Sequence, residues 1–173
     1  GLHNHPGMPS GQFLFGSGPF RSAADTVTIT IRGKGGHAAR PHLAVDPVLV
    51  ASSLVVALQS VVARNVDPTQ TAVVTVGTFQ AGIAPNVIPD SAQLGLSVRS
   101  FTEPVRALLE ERITALATAH AAGYGATAEI DYQRGYPVLV NSAAETAFAR
   151  QVAEELVGPE RVVFPFGPVT GRE

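Results

Sequence analysis

The sequence predicts an α+β fold: a four-stranded antiparallel sheet with two helices on one face, its elements in the order β-α-β-β-α-β. Three observations predict it. Residues Thr26 to Arg32 alternate, with Val27, Ile29 and Ile31 set against Thr28, Thr30 and Arg32, the period-two signature of a half-buried strand. Two stretches, Asp46-Pro47 and Thr102-Glu103-Pro104, place a capping side chain beside a proline suited to the first helical turn. Around them lie runs of strand length bounded by turn residues.

Taken in order, the first strand is followed by a glycine-rich turn, Gly33-Lys34-Gly35-Gly36-His37. The first helix runs from Pro47 to about Arg64-Asn65. Thr71 to Phe79 is the second strand, and the turn-rich segment Ala81 to Pro89 leads into a third, Ala92 to Phe101. The second helix starts at Glu103-Pro104, and Gly123 and Gly125 stop it. Ala126 to Gln133 is the fourth strand. From Thr26 to Gln133 this is the split, ferredoxin-like βαββαβ arrangement.

Outside that stretch, Gln12 to Phe15 reads as a short strand in a loop rich in Gly, Pro and Phe. Another helix opens at Asn141 or Ser142 and ends near Gly158, and Arg161 to Phe164 is a short last strand. The flanks before Asp25 and after Gly135 hold too few elements to build a second core. They read as edges of a neighbouring domain into which this one is inserted, giving the expected division 1–24, 25–136 and 137–173.

Composition narrows the function. The chain has 173 residues, 45% hydrophobic and 15% charged, a globular, core-forming mixture. A net charge of -2 offers neither a nucleic-acid surface nor an acidic-membrane surface. The absence of cysteine excludes disulfides, a cysteine nucleophile and a cysteine zinc site within these residues. No basic and apolar leader precedes the first loop, so no signal peptide is read and a cytoplasmic location is expected. The uncharged run Pro47 to Ala63 is shorter than the roughly 20 residues that cross a bilayer, and it reads as a buried helix. Both ends are expected to be cut from something longer.

The pattern also distinguishes faces. Leu94, Leu96 and Val98 point one way from their strand, and Gln93, Gly95, Ser97 and Arg99 the other. Two helices cover one face, so the polar face meets water or closes over something, and Arg99 is either a solvated arginine or a ligand-facing one. The second helix has an apolar stripe, Val105, Leu108, Leu109, Ile113 and Leu116, with Glu103, Arg106, Glu110, Glu111 and Arg112 expected on its exposed side. The first helix is apolar on more than one side and needs a second cover. That predicts a homodimer through the helix Pro47 to Ala63 and an edge strand, or else contact with another part of the same protein.

Three constellations could carry chemistry. His3 and His5 sit two apart at the mouth of a loop; histidine is the commonest metal ligand, yet two do not complete a site, and loop histidines are the alternative. In Gly35-Gly36-His37-Ala38-Ala39, the paired glycines allow a sharp turn and a close backbone approach, and small neighbours leave His37 open. It either donates to a developing oxyanion or makes a structural hydrogen bond. Asn86, stiffened by Pro85 and Pro89, either binds a substrate carboxylate or carbonyl or forms an Asx turn. Walker, dinucleotide, Gly-x-Ser-x-Gly and paired zinc-ligand motifs are missing.

Taken together, the pieces resemble the aminoacylase, carboxypeptidase and hippurate-hydrolase type of metal-dependent amidohydrolase, which includes indole-acetyl-amino-acid hydrolases. The likeness rests on four stretches in the family's order: Gly1 to Gly11, Gly33 to His42, Asn86 to Asp90, and Val98 to Phe101. Gly171-Arg172-Glu173 resembles the start of the family's Gly-x-Glu-Asp-Phe stretch. The resemblance implies an α/β metallopeptidase catalytic domain with one or two divalent metals (zinc, manganese, nickel or cobalt) and an inserted, often dimeric, ferredoxin-like lid. The implied substrate is an N-acyl amino acid or a similar small amide. His3 would be a metal ligand, and His37 would stabilise the oxyanion, usually at the partner subunit's metal site. Asn86 would assist it, and Arg99 would hold the substrate carboxylate as a bidentate fork. His5 falls where the family varies.

The family's His-Asp metal motif, its catalytic glutamates and its last histidine ligand are missing from these residues. The chain by itself is therefore expected neither to hydrolyse amides nor to bind metal tightly. The rival readings are a stand-alone ferredoxin-like dimerisation or small-molecule-binding module without activity, and an inactive relative kept for binding.

Overall fold

The computed structural model describes residues 3–5 and 7–164. Gly1, Leu2 and Pro6 of the first motif, and Gly171, Arg172 and Glu173, lie outside them. The elements are β1 (Phe13–Leu14), β2 (Gly18–Arg21), β3 (Ala23–Arg32), β4 (Gly36–His37), α1 (Pro47–Asn65), β5 (Ala72–Ala81), β6 (Val87–Ile88), β7 (Ser91–Ser100), α2 (Glu103–Gly123), β8 (Thr127–Arg134), β9 (Leu139–Asn141), α3 (Ala143–Val157) and β10 (Val162–Val163). Two compact units result. One is Ala24–Tyr136; the other joins Gly1–Ala23 to Pro137–Glu173.

The first of these units is a mixed α/β layer pair. Its sheet has the order β5-β7-β3-β8, with β5 antiparallel to β7 and β3 antiparallel to β8. Alternation decides which side is buried: Val27, Ile29, Ile31, Leu94 and Val98 are at most 1% exposed, and both helices pack on that face. α1 lies over β5 and β7, α2 over β7 and β8, and the helices touch each other. Their starts follow from local chemistry. The Asp46 carboxylate accepts the Val48 N–H at 2.8 Å, with Pro47 next in the chain, and the Thr102 hydroxyl accepts the Val105 N–H at 3.4 Å. α2 ends where Gly125 takes a φ of +74°.

α1 contributes Val50, Leu54, Leu58 and Val61 to the core, but Leu49 and Val56 on its far side are 57% and 73% exposed. The described residues thus leave the second apolar side of α1 uncovered. By length and composition alone, its 19 residues could cross a membrane. The row packed on β5 and β7 makes it a core helix of this unit.

The structure corrects the reading of Arg106. Expected on the exposed side of α2, it is 6% exposed and donates through Nε to Asp25 at 3.0 Å and through Nη2 to the Gly135 carbonyl at 3.1 Å. Asp25, 1% exposed, also accepts from the Gly135 N–H at 3.0 Å and the Tyr132 hydroxyl at 3.2 Å. Helical spacing, three residues to Leu109 and seven to Ile113, puts Arg106 on the buried face of α2, and Asp25 at the start of β3 meets its charge there. Burial alone would push the Asp25 carboxyl up, but the Arg106 guanidinium, the Gly135 amide and the Tyr132 hydroxyl together hold it below the ordinary aspartate value. Gly135 is required here because a Cβ would lie 2.2 Å from the Ala24 carbonyl oxygen.

In the second unit β1 runs parallel to β10 and β2 antiparallel to β9, and the Ser142 hydroxyl caps α3 by accepting the Glu145 N–H at 3.4 Å. β2, β4, β6 and β9 lie in stretches without an alternating pattern of their own, rich in Gly and Pro or in turn residues.

Breaking the buried pair leaves a charge without its partner. Asp25→Asn or Arg106→Ala should lower unfolding free energy by about 3–5 kcal/mol in urea titrations at neutral pH. The Asp25 contribution is present above the ordinary value of 3.8 and is lost as pH falls below it toward the lowered folded-state value. The gap between wild type and Asp25→Asn should therefore shrink below about pH 4; a gap that stays constant from pH 7 to pH 3 would contradict the assignment.

Candidate functional site

The glycine-rich turn and the segment around Asn86 meet as a two-stranded ribbon separate from the main sheet. β4 and β6 are antiparallel, with Gly36 opposite Ile88 and His37 opposite Val87. The Ala38 N–H donates to the Asn86 carbonyl at 3.1 Å, so the structure brings His37 and Asn86 together. The ribbon is tied at both ends. Lys34 and Val45 exchange two backbone hydrogen bonds of 2.9 Å, and the Val87 N–H closes a turn onto the Ala84 carbonyl at 3.3 Å.

Of the paired glycines, Gly35 owes its place to close approach. Neither Gly35 nor Gly36 has a positive φ. A Cβ on Gly35 would lie 2.8 Å from an Asp90 carboxylate oxygen and 2.9 Å from the Ile88 carbonyl oxygen, distances real side chains do not adopt. The Asp90 carboxylate accepts the Gly35 N–H at 2.9 Å. Asp90 lies in the Asn86 to Asp90 motif without an expected role there; the signal in the sequence that points to it is Gly35, whose missing side chain leaves room for the carboxylate.

His37 is exposed, and its orientation has a chemical consequence. Its Nδ1 takes a hydrogen bond of 3.1 Å from the Ala39 N–H. A backbone amide only donates, so Nδ1 must carry the lone pair and the neutral ring holds its proton on Nε2. The outward nitrogen is then a donor, the form that suits a developing negative charge on oxygen.

Arg99 lies elsewhere. It is half-buried on β7 opposite Val73, on the helix-free side of the sheet. The ribbon adjoins the beginning of β7, whereas Arg99 is near its end. At ~3.3 Å per residue, Ser91 and Arg99 are on the order of 26 Å apart. One chain therefore does not bring Arg99 to the same small ligand as His37 and Asn86.

In the other unit, His3 and His5 line a cavity of about 830 Å³ together with Phe15, Asn141, Glu145 and Thr146. His3 is exposed, and its Nδ1 faces the Asn4 carbonyl. That carbonyl only accepts, so Nδ1 carries the proton and Nε2 keeps the lone pair a metal needs. The His5 Nδ1 is buried without a hydrogen-bond partner. Among the described residues no three His, Asp or Glu side chains are grouped to hold a metal.

Comparison with known proteins assigns this geometry to a family. Hippurate hydrolase of Campylobacter jejuni is 38% identical over 173 residues, covering 100% of this chain and 45% of the relative. N-acetyl-L-cysteine deacetylase of Bacillus subtilis is 39% identical over 155 residues, covering 90% and 37%. The crystal structure of the Bacillus subtilis YXEP protein, described as a dinuclear metal binding peptidase from the M20 family, matches with a TM-score of 0.69 and 30% identity over 98% of this chain and 41% of that one. The chain thus spans less than half the length of these relatives. Residues 21–125 match the peptidase dimerisation domain, and the chain belongs to that family, the dimerisation domain of M20 peptidases.

Proposed function

We propose that this chain is the lid and dimerisation part of a metal-dependent amidohydrolase acting on N-acyl amino acids or similar small amides. The observation that carries the proposal is the ribbon: it seats Asn86 beside a His37 whose outward Nε2 is a donor. In finer terms residues 25–136 are a ferredoxin-like βαββαβ lid, and residues 1–24 and 137–173 are edges of an α/β catalytic domain. The strand order and the packing of both helices on one face support that reading.

The donor set of His3 fits one position of a metal site, with Nε2 free to ligate. Zinc, manganese, nickel or cobalt bound there with ligands beyond this chain would polarise the amide carbonyl and lower the pKa of a bound water. The residues described here act around that centre. His37 Nε2–H and the Asn86 amide donate to the carbonyl oxygen as it gains charge. Arg99 holds the substrate carboxylate through its planar fork.

The length of β7 constrains how these residues combine. The ribbon and Arg99 lie at opposite ends of one lid, so a single substrate reaches both only if they come from different subunits. A two-fold dimer supplies this arrangement. The exposed Leu49 and Val56 of α1, and the neighbouring β5, which is an edge of the sheet, are the surfaces that would meet.

Three measurements test the reading. In the intact protein, His37→Ala should lower turnover of an N-acyl amino acid by about 10²- to 10³-fold with metal content unchanged. Unchanged turnover would refute the donor role. Val56→Arg places a charge on the outer side of α1, so light scattering should show monomer where wild type is dimeric. Finally, His37→Ala and Arg99→Ala subunits, each inactive alone, should regain activity when mixed, because one site of each heterodimer then has both residues intact. No recovery would mean that both residues serve the same subunit.

A further inference from the structure

We propose that Asp90 is a positioning residue for His37, setting the direction of the imidazole Nε2–H through the backbone of the glycine-rich turn. The proposal rests on the reading of His37 as an oxyanion donor. A ribbon of two residues per strand does not hold itself in place. Beyond the pair of Gly36 and Ile88, the next residue of the second strand is Pro89, which has no N–H to offer as a rung. Asp90, the residue after that proline, ties the two segments together by accepting twice. Its carbonyl accepts the Gly33 N–H at 2.9 Å, and its carboxylate reaches back to accept the Gly35 N–H, also at 2.9 Å.

The side chain therefore stands in for a backbone acceptor two residues before His37. Close packing reinforces the arrangement, since a Cβ on Gly35 would fall 2.8 Å from the same carboxylate oxygen. On the other side of His37 the Ala39 N–H holds Nδ1, and the Arg40 N–H bonds the His37 carbonyl at 2.8 Å. The imidazole is thus clamped from behind by Ala39 and Arg40, and the strand that bears it is clamped in front by Asp90. Losing the front clamp lets the strand shift while the fold, whose core lies in the main sheet, persists. A displacement near 1 Å at a catalytic donor costs about a hundredfold in rate.

The test uses the intact protein with N-acetyl and N-benzoyl amino acids as substrates, and ¹⁵N NMR of the labelled His37 ring. Asp90→Ala should lower kcat about 10- to 100-fold with KM changed less than about threefold, and should replace the single Nε2–H tautomer by a mixture. Asp90→Asn, whose amide oxygen still accepts the Gly35 N–H, should restore most of the loss. Gly35→Ala, which drives the carboxylate away, should behave like Asp90→Ala, and it carries the test if Asp90→Ala does not fold. Wild-type kcat and tautomer in both Asp90→Ala and Gly35→Ala would overturn the proposal, as would Asp90→Asn as damaging as Asp90→Ala. If His37→Ala lowers turnover and these variants do not, the positioning role alone fails. If the wild type cleaves no N-acyl amino acid, the functional reading fails and the tautomer measurement decides the positioning role by itself.

Discussion

The unit Ala24–Tyr136 is organised around the buried pair of Asp25 and Arg106. The pair joins the start of β3, the first turn of α2 and the residue after β8, so it fixes together the points where the chain enters and leaves the unit. Its charges are nearly fully desolvated, which is tolerable only because the carboxylate is met by the guanidinium, an amide and a phenol, and the guanidinium also reaches a carbonyl. An apolar pair of similar volume could match it in stability. It could not impose the same directional contacts on three segments.

From that frame the candidate chemistry is distributed along the lid. The main sheet is polar on its helix-free side and contributes Arg99 near one end of β7. The ribbon of β4 and β6 contributes His37 and Asn86 near the other end. Local forces set each group: pleat alternation aims Arg99, while amide donors and a close-packed glycine aim His37. The distance between them follows from strand length alone. Under the proposed function the unit would work as one of a pair, and the apolar side of α1 that the described residues leave exposed is the surface for pairing.

Much of the fold was legible in the residues. The alternation of Val27, Ile29 and Ile31, the Asp46 and Thr102 caps and the uncharged first helix each express a local rule, and α1, α2 and the long strands lie within a few residues of their expected bounds. His37 and Asn86 stood out through their glycine and proline neighbours. Arg106 did not: its spacing to Leu109 and Ile113 is that of the buried face, but a guanidinium goes there only with an acidic partner, and Asp25 is distant in sequence. Asp90 did not, because its role is to complete a hydrogen-bond ladder that exists only once the two segments meet.

By itself, then, the sequence determined which segments are helix and strand and which faces are apolar, since these depend on spacing within a few residues, and its motifs carried the resemblance to a family that comparison then showed. Tertiary structure decided that Arg106 is buried, that His37 and Asn86 are neighbours with Nε2 as the outward donor, and that Arg99 is remote from both within one chain. Those facts depend on hydrogen bonds and distances between segments far apart in the chain, which no local pattern encodes.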